Sequence, residues 1–99
     1  MSRFLFRPQA LRDLRELLIY IAKDNPVAAE KMHDCVIETC QILADNPLIA
    51  IELEGLSVTG VRRIPVVSYP RYSIFYRIAD DQVEIVRLGF GGRDWENSL

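Results

Sequence analysis

Ninety-nine residues, 49% of them apolar, describe one domain (residues 1–99) whose single core must take in most of its hydrophobic side chains. A net charge of −2 excludes a protein that coats nucleic acid by bulk positive charge, and no sequence-specific binding of nucleic acid is expected. No run approaches the roughly 18 apolar residues of a transmembrane helix, and the opening MSRFLFRPQA lacks a signal peptide's apolar stretch, so the expected location is the cytoplasm, away from membrane.

The first residues, SRFLF, are short, aromatic-rich and stopped by Pro8, which predicts a strand. Pro8 suits the first turn of a helix. From it Leu11, Leu14, Leu18, Ile21 and Ala22 recur at spacings of three and four, with Arg12, Asp13, Arg15, Glu16 and Lys23 on the other faces. Asp24-Asn25-Pro26 ends that helix and starts another, Asn25 as the cap and Pro26 at the first position. The second stripe is Ala29, Met32, Val36, Cys40 and Leu43, closed by Asp45-Asn46-Pro47. So short a link between two amphipathic helices predicts an antiparallel hairpin.

Residues 48–60, LIAIELEGLSVTG, alternate through Ile49, Ile51 and Leu53 but carry two glycines, and are read as a packed loop. Beyond them the period becomes two. The runs 61–67 (VRRIPVV), 72–78 (YSIFYRI) and Val83 to Leu88 are separated by the turns Ser68-Tyr69-Pro70-Arg71 and Ala79-Asp80-Asp81-Gln82. Pro65 points to an edge strand or a bulge. The expected fold is therefore α+β: an N-terminal strand, an antiparallel helical hairpin, then a three-stranded antiparallel meander. Its core should bring Leu11, Leu14, Leu18, Met32, Val36 and Leu43 against Ile74, Tyr76 and Ile85.

Cys35 and Cys40 stand five apart on the second helix, a rotation of about 500° that separates their side chains, so they read as structural thiols. With His33 as the single histidine and no Cys-x-x-Cys, a zinc site has too few ligands, and neither metal nor cofactor is expected. Charge is unevenly spread: residues 1–60 hold six cations and nine acids, residues 61–99 six cations and five acids. All six later cations are arginines (Arg62, Arg63, Arg71, Arg77, Arg87 and Arg93), the cation suited to bidentate grip on phosphate or carboxylate.

In order along the chain come Phe6-x-Pro8-x-Ala10-x-x-Asp13-Leu14, Tyr20-Ile21-Ala22, Asn25-Pro26-x-Ala28-Ala29 and Leu43-x-x-x-Pro47. Then follow Gly60-x-Arg62-Arg63, Tyr72-Ser73-Ile74-Phe75-Tyr76-Arg77, and Val83-x-Ile85-x-Arg87 leading to Gly92-Arg93-Asp94. Each piece alone is generic; together, at this spacing, they make the chain resemble the ParE branch of the ParE/RelE toxin superfamily from near its first residue to Asp94. The resemblance implies a toxin neutralised by a cognate antitoxin (ParD-like or similar) encoded beside it, in a hetero-oligomer. ParE-like members are understood to poison DNA gyrase, whereas RelE-like members cut messenger RNA on the ribosome.

Cleaving RNA requires a group that moves a proton and cations at the phosphate. RelE-like members carry an arginine after a tyrosine in the middle strand; aligning on Tyr72 puts Ser73 there. They carry a histidine or tyrosine near the C-terminus, where residues 89–99 hold no His, Tyr or Lys, and Phe90 occupies the position at which many relatives have histidine. His33 reads as a helix-surface residue, and Glu84 and Glu96 as solvated acids. No catalytic residue is assigned, and an inhibitory binder directed at DNA gyrase is expected in place of an enzyme. A RelE-type ribonuclease and an inactive fold that binds only its antitoxin are the alternatives. Candidate target-binding residues are Phe90, Arg93 and Trp95 in the tail, with Arg62, Arg63 and Arg77 behind them. Tryptophan and arginine are common interface anchors. Trp95 reads equally as a cap on the sheet, and each arginine as a partner of a nearby acid.

Overall fold

The computed structural model describes residues 4–55 and 59–90. The chain runs β1 (Phe4–Phe6), α1 (Pro8–Ala22), α2 (Pro26–Asp45), β2 (Arg62–Val66), β3 (Tyr69–Ala79) and β4 (Gln82–Phe90). Pro8 and Pro26 open their helices, where the missing N–H has no helical partner to lose. Asn25 caps α2, its side chain accepting from Ala28 N at 3.1 Å.

The strands form one sheet in the order β1-β4-β3-β2. β2, β3 and β4 make the antiparallel meander, and β1 adds to the far edge parallel to β4, with Phe6 opposite Ile85. The intervening helical hairpin is the crossover that a parallel pair requires. Pro65 lies on the edge strand β2, and the register slips between Pro65 and Val66, so both of its expected consequences occur together.

Two turns tighten the meander. Asp80 and Asp81 both take positive φ (50° and 62°) in a two-residue link between Ala79 and Gln82. The first turn is shorter than the sequence suggests: Val66 already pairs with Tyr69, Ser68 takes φ 68°, and Tyr69, Pro70 and Arg71 belong to β3. Among the described residues β4 pairs with β3 only from Tyr72 onward, so the missing N–H of Pro70 breaks no described bond on that side.

The core packs α2 residues Met32, Val36, Cys40 and Leu43 and α1 residues Ala10 and Leu14 onto Ile74, Tyr76, Val83, Ile85 and Leu88. Leu18 is partly buried against it. Leu11 is a correction: it is 46% exposed, and Asp13 is turned inward in its place. The buried stripe of α1 thus includes a carboxylate, which a reading of apolar spacing assigns to the outer faces.

In β4 the core residues Val83 and Ile85 are two apart, but the next is Leu88. Phe75 pairs with Arg87 and Tyr76 with Ile85, which leaves Val86 as a bulge. One extra residue flips the alternation, and Leu88 instead of Arg87 faces the helices. The other face of the sheet is closed at its centre too, with Ser73, Phe75 and Val86 buried.

Candidate functional site

Alternation along β2 sends neighbouring arginines to opposite faces of the sheet. Arg63 pairs with Phe75, on the face turned away from the helices, and its Nε donates to Ser73 Oγ at 3.0 Å. Two residues past Phe75 on the same face, Arg77 pairs with Glu84, its Nε 3.0 Å from Glu84 Oε1. Neither atom has a hydrogen-bond partner, so the contact is a charge pair without the alignment of a directed bond. Arg7 approaches the same oxygen at 3.7 Å. One glutamate thus faces two arginines, and with Arg63 the described residues of this face carry a surplus of positive charge that a planar anion or acidic side chain can meet. Phe90, the last residue of β4, stands opposite Tyr72 at the end of the same ladder.

Arg62, one residue before Arg63, pairs with Tyr76 and faces the helix side. Its guanidinium donates to Ala50 O. Tyr76, fully buried, donates its hydroxyl to Pro47 O at 3.0 Å. Burial pushes the Tyr76 phenol above its ordinary value, and the Ala50 backbone and the Arg62 charge pull partly back. These two side chains hold the stretch after α2 from beneath. The same stretch lines a concavity of about 530 Å³ through Leu48, Ile49, Ala50, Ile51, Glu52 and Glu54, with Arg62 beside them.

The chain matches the family model for the ParE toxin of type II toxin–antitoxin systems over residues 4–95. The chain belongs to the ParE toxin family. It is similar to Toxin RelE2 of Caulobacter vibrioides, 32% identical over 93 residues that cover 94% of this chain and 99% of that protein. Its fold is similar to that of a chain of the chromosomal ParDE toxin–antitoxin system from P. aeruginosa, with a TM-score of 0.72 at 20% identity, covering 91% and 96% of the two chains. It also resembles the solution structure of the conserved hypothetical protein HP0894 from Helicobacter pylori, with a TM-score of 0.60 at 22% identity over 94% and 98%.

Of the six candidate residues of this ParE-family chain, the structure puts Arg63 and Arg77 on one face of the sheet, Arg62 on the other, and Phe90 at the end of β4, paired with Tyr72. Arg93 and Trp95 lie outside the described residues. Glu84, read from sequence as a solvated acid, is ion-paired and only 18% exposed. His33 lies on the helix surface beside Asp34, at 3.2 Å. Cys40 is fully buried, and burial pushes its thiol up to about 12; Cys35 is half-buried. Two features escaped the sequence reading: the inward carboxylate of Asp13, and the apolar loop held out by Arg62 and Tyr76. The second had a signal, since Leu48, Ile49 and Ile51 are unusual side chains for a loop.

Proposed function

We propose that this chain is the toxin of a type II pair that inhibits DNA gyrase by binding, performs no chemistry of its own, and is neutralised by a cognate antitoxin. Membership of the ParE family supports the toxin role and the antitoxin partner. The observation that carries binding over cleavage is the state of the arginine face. At the middle-strand position where RelE-like members carry arginine stands a fully buried serine, Ser73, already used by Arg63. The nearby carboxylate, Glu84, is already engaged by Arg77 and Arg7. Arg63 and Arg77 then serve as charged contacts for an acidic surface of gyrase or for the DNA it holds, with Phe90, Arg93 and Trp95 as anchors from the tail.

A second reading has its own support: the relative at 32% identity bears the name Toxin RelE2, which favours a ribosome-dependent ribonuclease. Purified toxin incubated with gyrase and supercoiled DNA separates the two. Inhibited supercoiling with trapped cleavage complexes is the expected result. Intact gyrase activity together with cleaved transcripts after induction would establish the ribonuclease, and neither effect would establish a fold that binds only its antitoxin.

A further inference from the structure

We propose that residues 48–54 form a preorganised platform that docks a segment of the cognate antitoxin whose aliphatic side chains are bordered by lysine or arginine. The proposal rests on the toxin–antitoxin reading above and adds the surface and the chemistry of the partner. Leu48, Ile49 and Ile51 are 70%, 54% and 86% exposed within four positions, where a loop ordinarily shows polar residues. The loop is not loose. Ile49 N donates to Asn46 O at 3.0 Å, Tyr76 Oη to Pro47 O at 3.0 Å, and the Arg62 guanidinium to Ala50 O. Further on, Leu53 N donates to Val61 O at 2.7 Å and Gly60 N to Glu52 Oε2 at 3.3 Å. These bonds tie the stretch to the end of α2, to β3 and to the residues at and just before β2, so the apolar side chains are presented from a fixed backbone. A surface already ordered before binding loses less entropy on association.

Charge identifies the occupant. Glu52 and Glu54 border the platform, and Arg62, its one cation among the described lining residues, is turned onto Ala50 O. An acidic rim around an aliphatic centre repels a polyanion, so a gyrase–DNA complex is better met by the opposite face with Arg63 and Arg77. It attracts a segment with aliphatic anchors and basic flanks. The edge of β2 gives that segment little to pair with. Glu52 and Leu53 already cover its start, and Pro65 interrupts the rest, so side-chain contacts on the platform carry the binding.

The test compares the intact toxin with Leu48→Asp, Ile51→Asp and Glu54→Lys, titrated with the protein encoded by the neighbouring gene. All three positions are exposed, and thermal melting checks that the variants fold. The expected result is at least a tenfold loss of antitoxin affinity for each aspartate variant with toxicity kept, and a smaller loss for Glu54→Lys that fades at high salt. Should an aspartate variant fail to fold, Glu54→Lys decides. Unchanged antitoxin affinity overturns the proposal. Loss of toxicity with antitoxin binding intact assigns the platform to the target instead, and concentration-dependent self-association lost on substitution assigns it to a second copy; either overturns it. If the wild-type chain does not bind the neighbouring product at all, the antitoxin reading itself has failed and the proposal falls with it.

Discussion

Asp13 and Arg87, 74 positions apart, meet at the edge of the sheet beyond the end of β1. Arg87 Nε donates to Asp13 Oδ2 at 2.8 Å and its Nη2 to Oδ1 at 3.2 Å, while the backbone N–H of Leu88 donates to Oδ2 at 3.1 Å. β1 is three residues long and its pairing with β4 ends at Ile85, so the next stretch of β4 would face no strand on that side. The carboxylate of α1 takes over as acceptor. With side chains 5% and 14% exposed, this is a buried ion pair whose partners are costly to separate.

Asp13→Ala should therefore destabilise the fold by about 3–5 kcal/mol, since it removes the carboxylate that accepts from the Arg87 guanidinium and from the Leu88 amide. The double variant Asp13→Leu with Arg87→Met should recover much of that loss, because both members of the buried ion pair are replaced by apolar side chains of similar size. Urea unfolding of the two variants checks this. If the double variant is as unstable as the single one, the acceptor for Leu88 N matters more than the charge pair.

Leu14, 6% exposed, packs in the core with Val36 fully buried behind it. Leu14→Ala should cost about 2–5 kcal/mol. Leu11→Ala, at a position 46% exposed, should cost far less, and unfolding midpoints of the pair measure which face of α1 is buried in solution.

Thr39 is fully buried and ties α2 to the turn after β2: its Oγ1 donates to Cys35 O at 2.7 Å and accepts from Val67 N at 3.0 Å. Thr39→Val keeps the shape but leaves the Val67 amide without a partner, at a cost of about 1–3 kcal/mol. Faster hydrogen exchange at Val67, read by NMR, is the local signature.

The Cys40 thiol, ordinarily near 9, is held up to about 12 by burial. Unfolding releases its proton more readily than the folded chain does, so the stabilisation is complete below pH 9 and is lost as pH climbs towards about 12. The buried Tyr76 phenol adds a loss of the same sign above its ordinary value of 10. Cys40→Ala should flatten the decline between pH 9 and 12 relative to the wild type, as measured by denaturant midpoints across that range.

These buried groups also mark where sequence and structure part. The α2 stripe Ala29, Met32, Val36, Cys40 and Leu43 was legible because those positions are apolar and keep one period, whereas the buried Thr39 beside it gave no such signal. The α1 stripe was legible at Leu14, Leu18 and Ile21 but not at Leu11, because the inward position there is Asp13, an aspartate whose partner lies on another element. In β4 the strict alternation read from sequence fails at Val86, since a bulge is a property of pairing with β3. The arginines Arg62 and Arg63 looked like one basic cluster in the sequence. A strand's two-residue period separates them, and only pairing shows which faces the helices.

That separation makes the target-binding surface testable. Ser73 pairs with Gly89 and Tyr72 with Phe90, so a chain cut after Leu88 loses two rungs of the ladder, whereas a cut after Phe90 keeps them. The shorter truncation should therefore lower stability, and the one after Phe90 should fold and bind antitoxin. Arg77→Ala removes the closer of two cations from Glu84 at a half-exposed position, where the pair contributes little to stability. If Arg77 and the tail contact the target, Arg77→Ala, Arg93→Ala and the cut after Phe90 each lower toxicity and the yield of trapped gyrase cleavage complexes, with melting temperature and antitoxin affinity close to wild type. Arg62→Ala should do the reverse: it removes the donor to Ala50 O on the helix side, so antitoxin affinity should fall. A chain cut after Phe90 that folds and remains fully toxic would move the active surface off the tail and leave Arg63 and Arg77 as its remaining candidates.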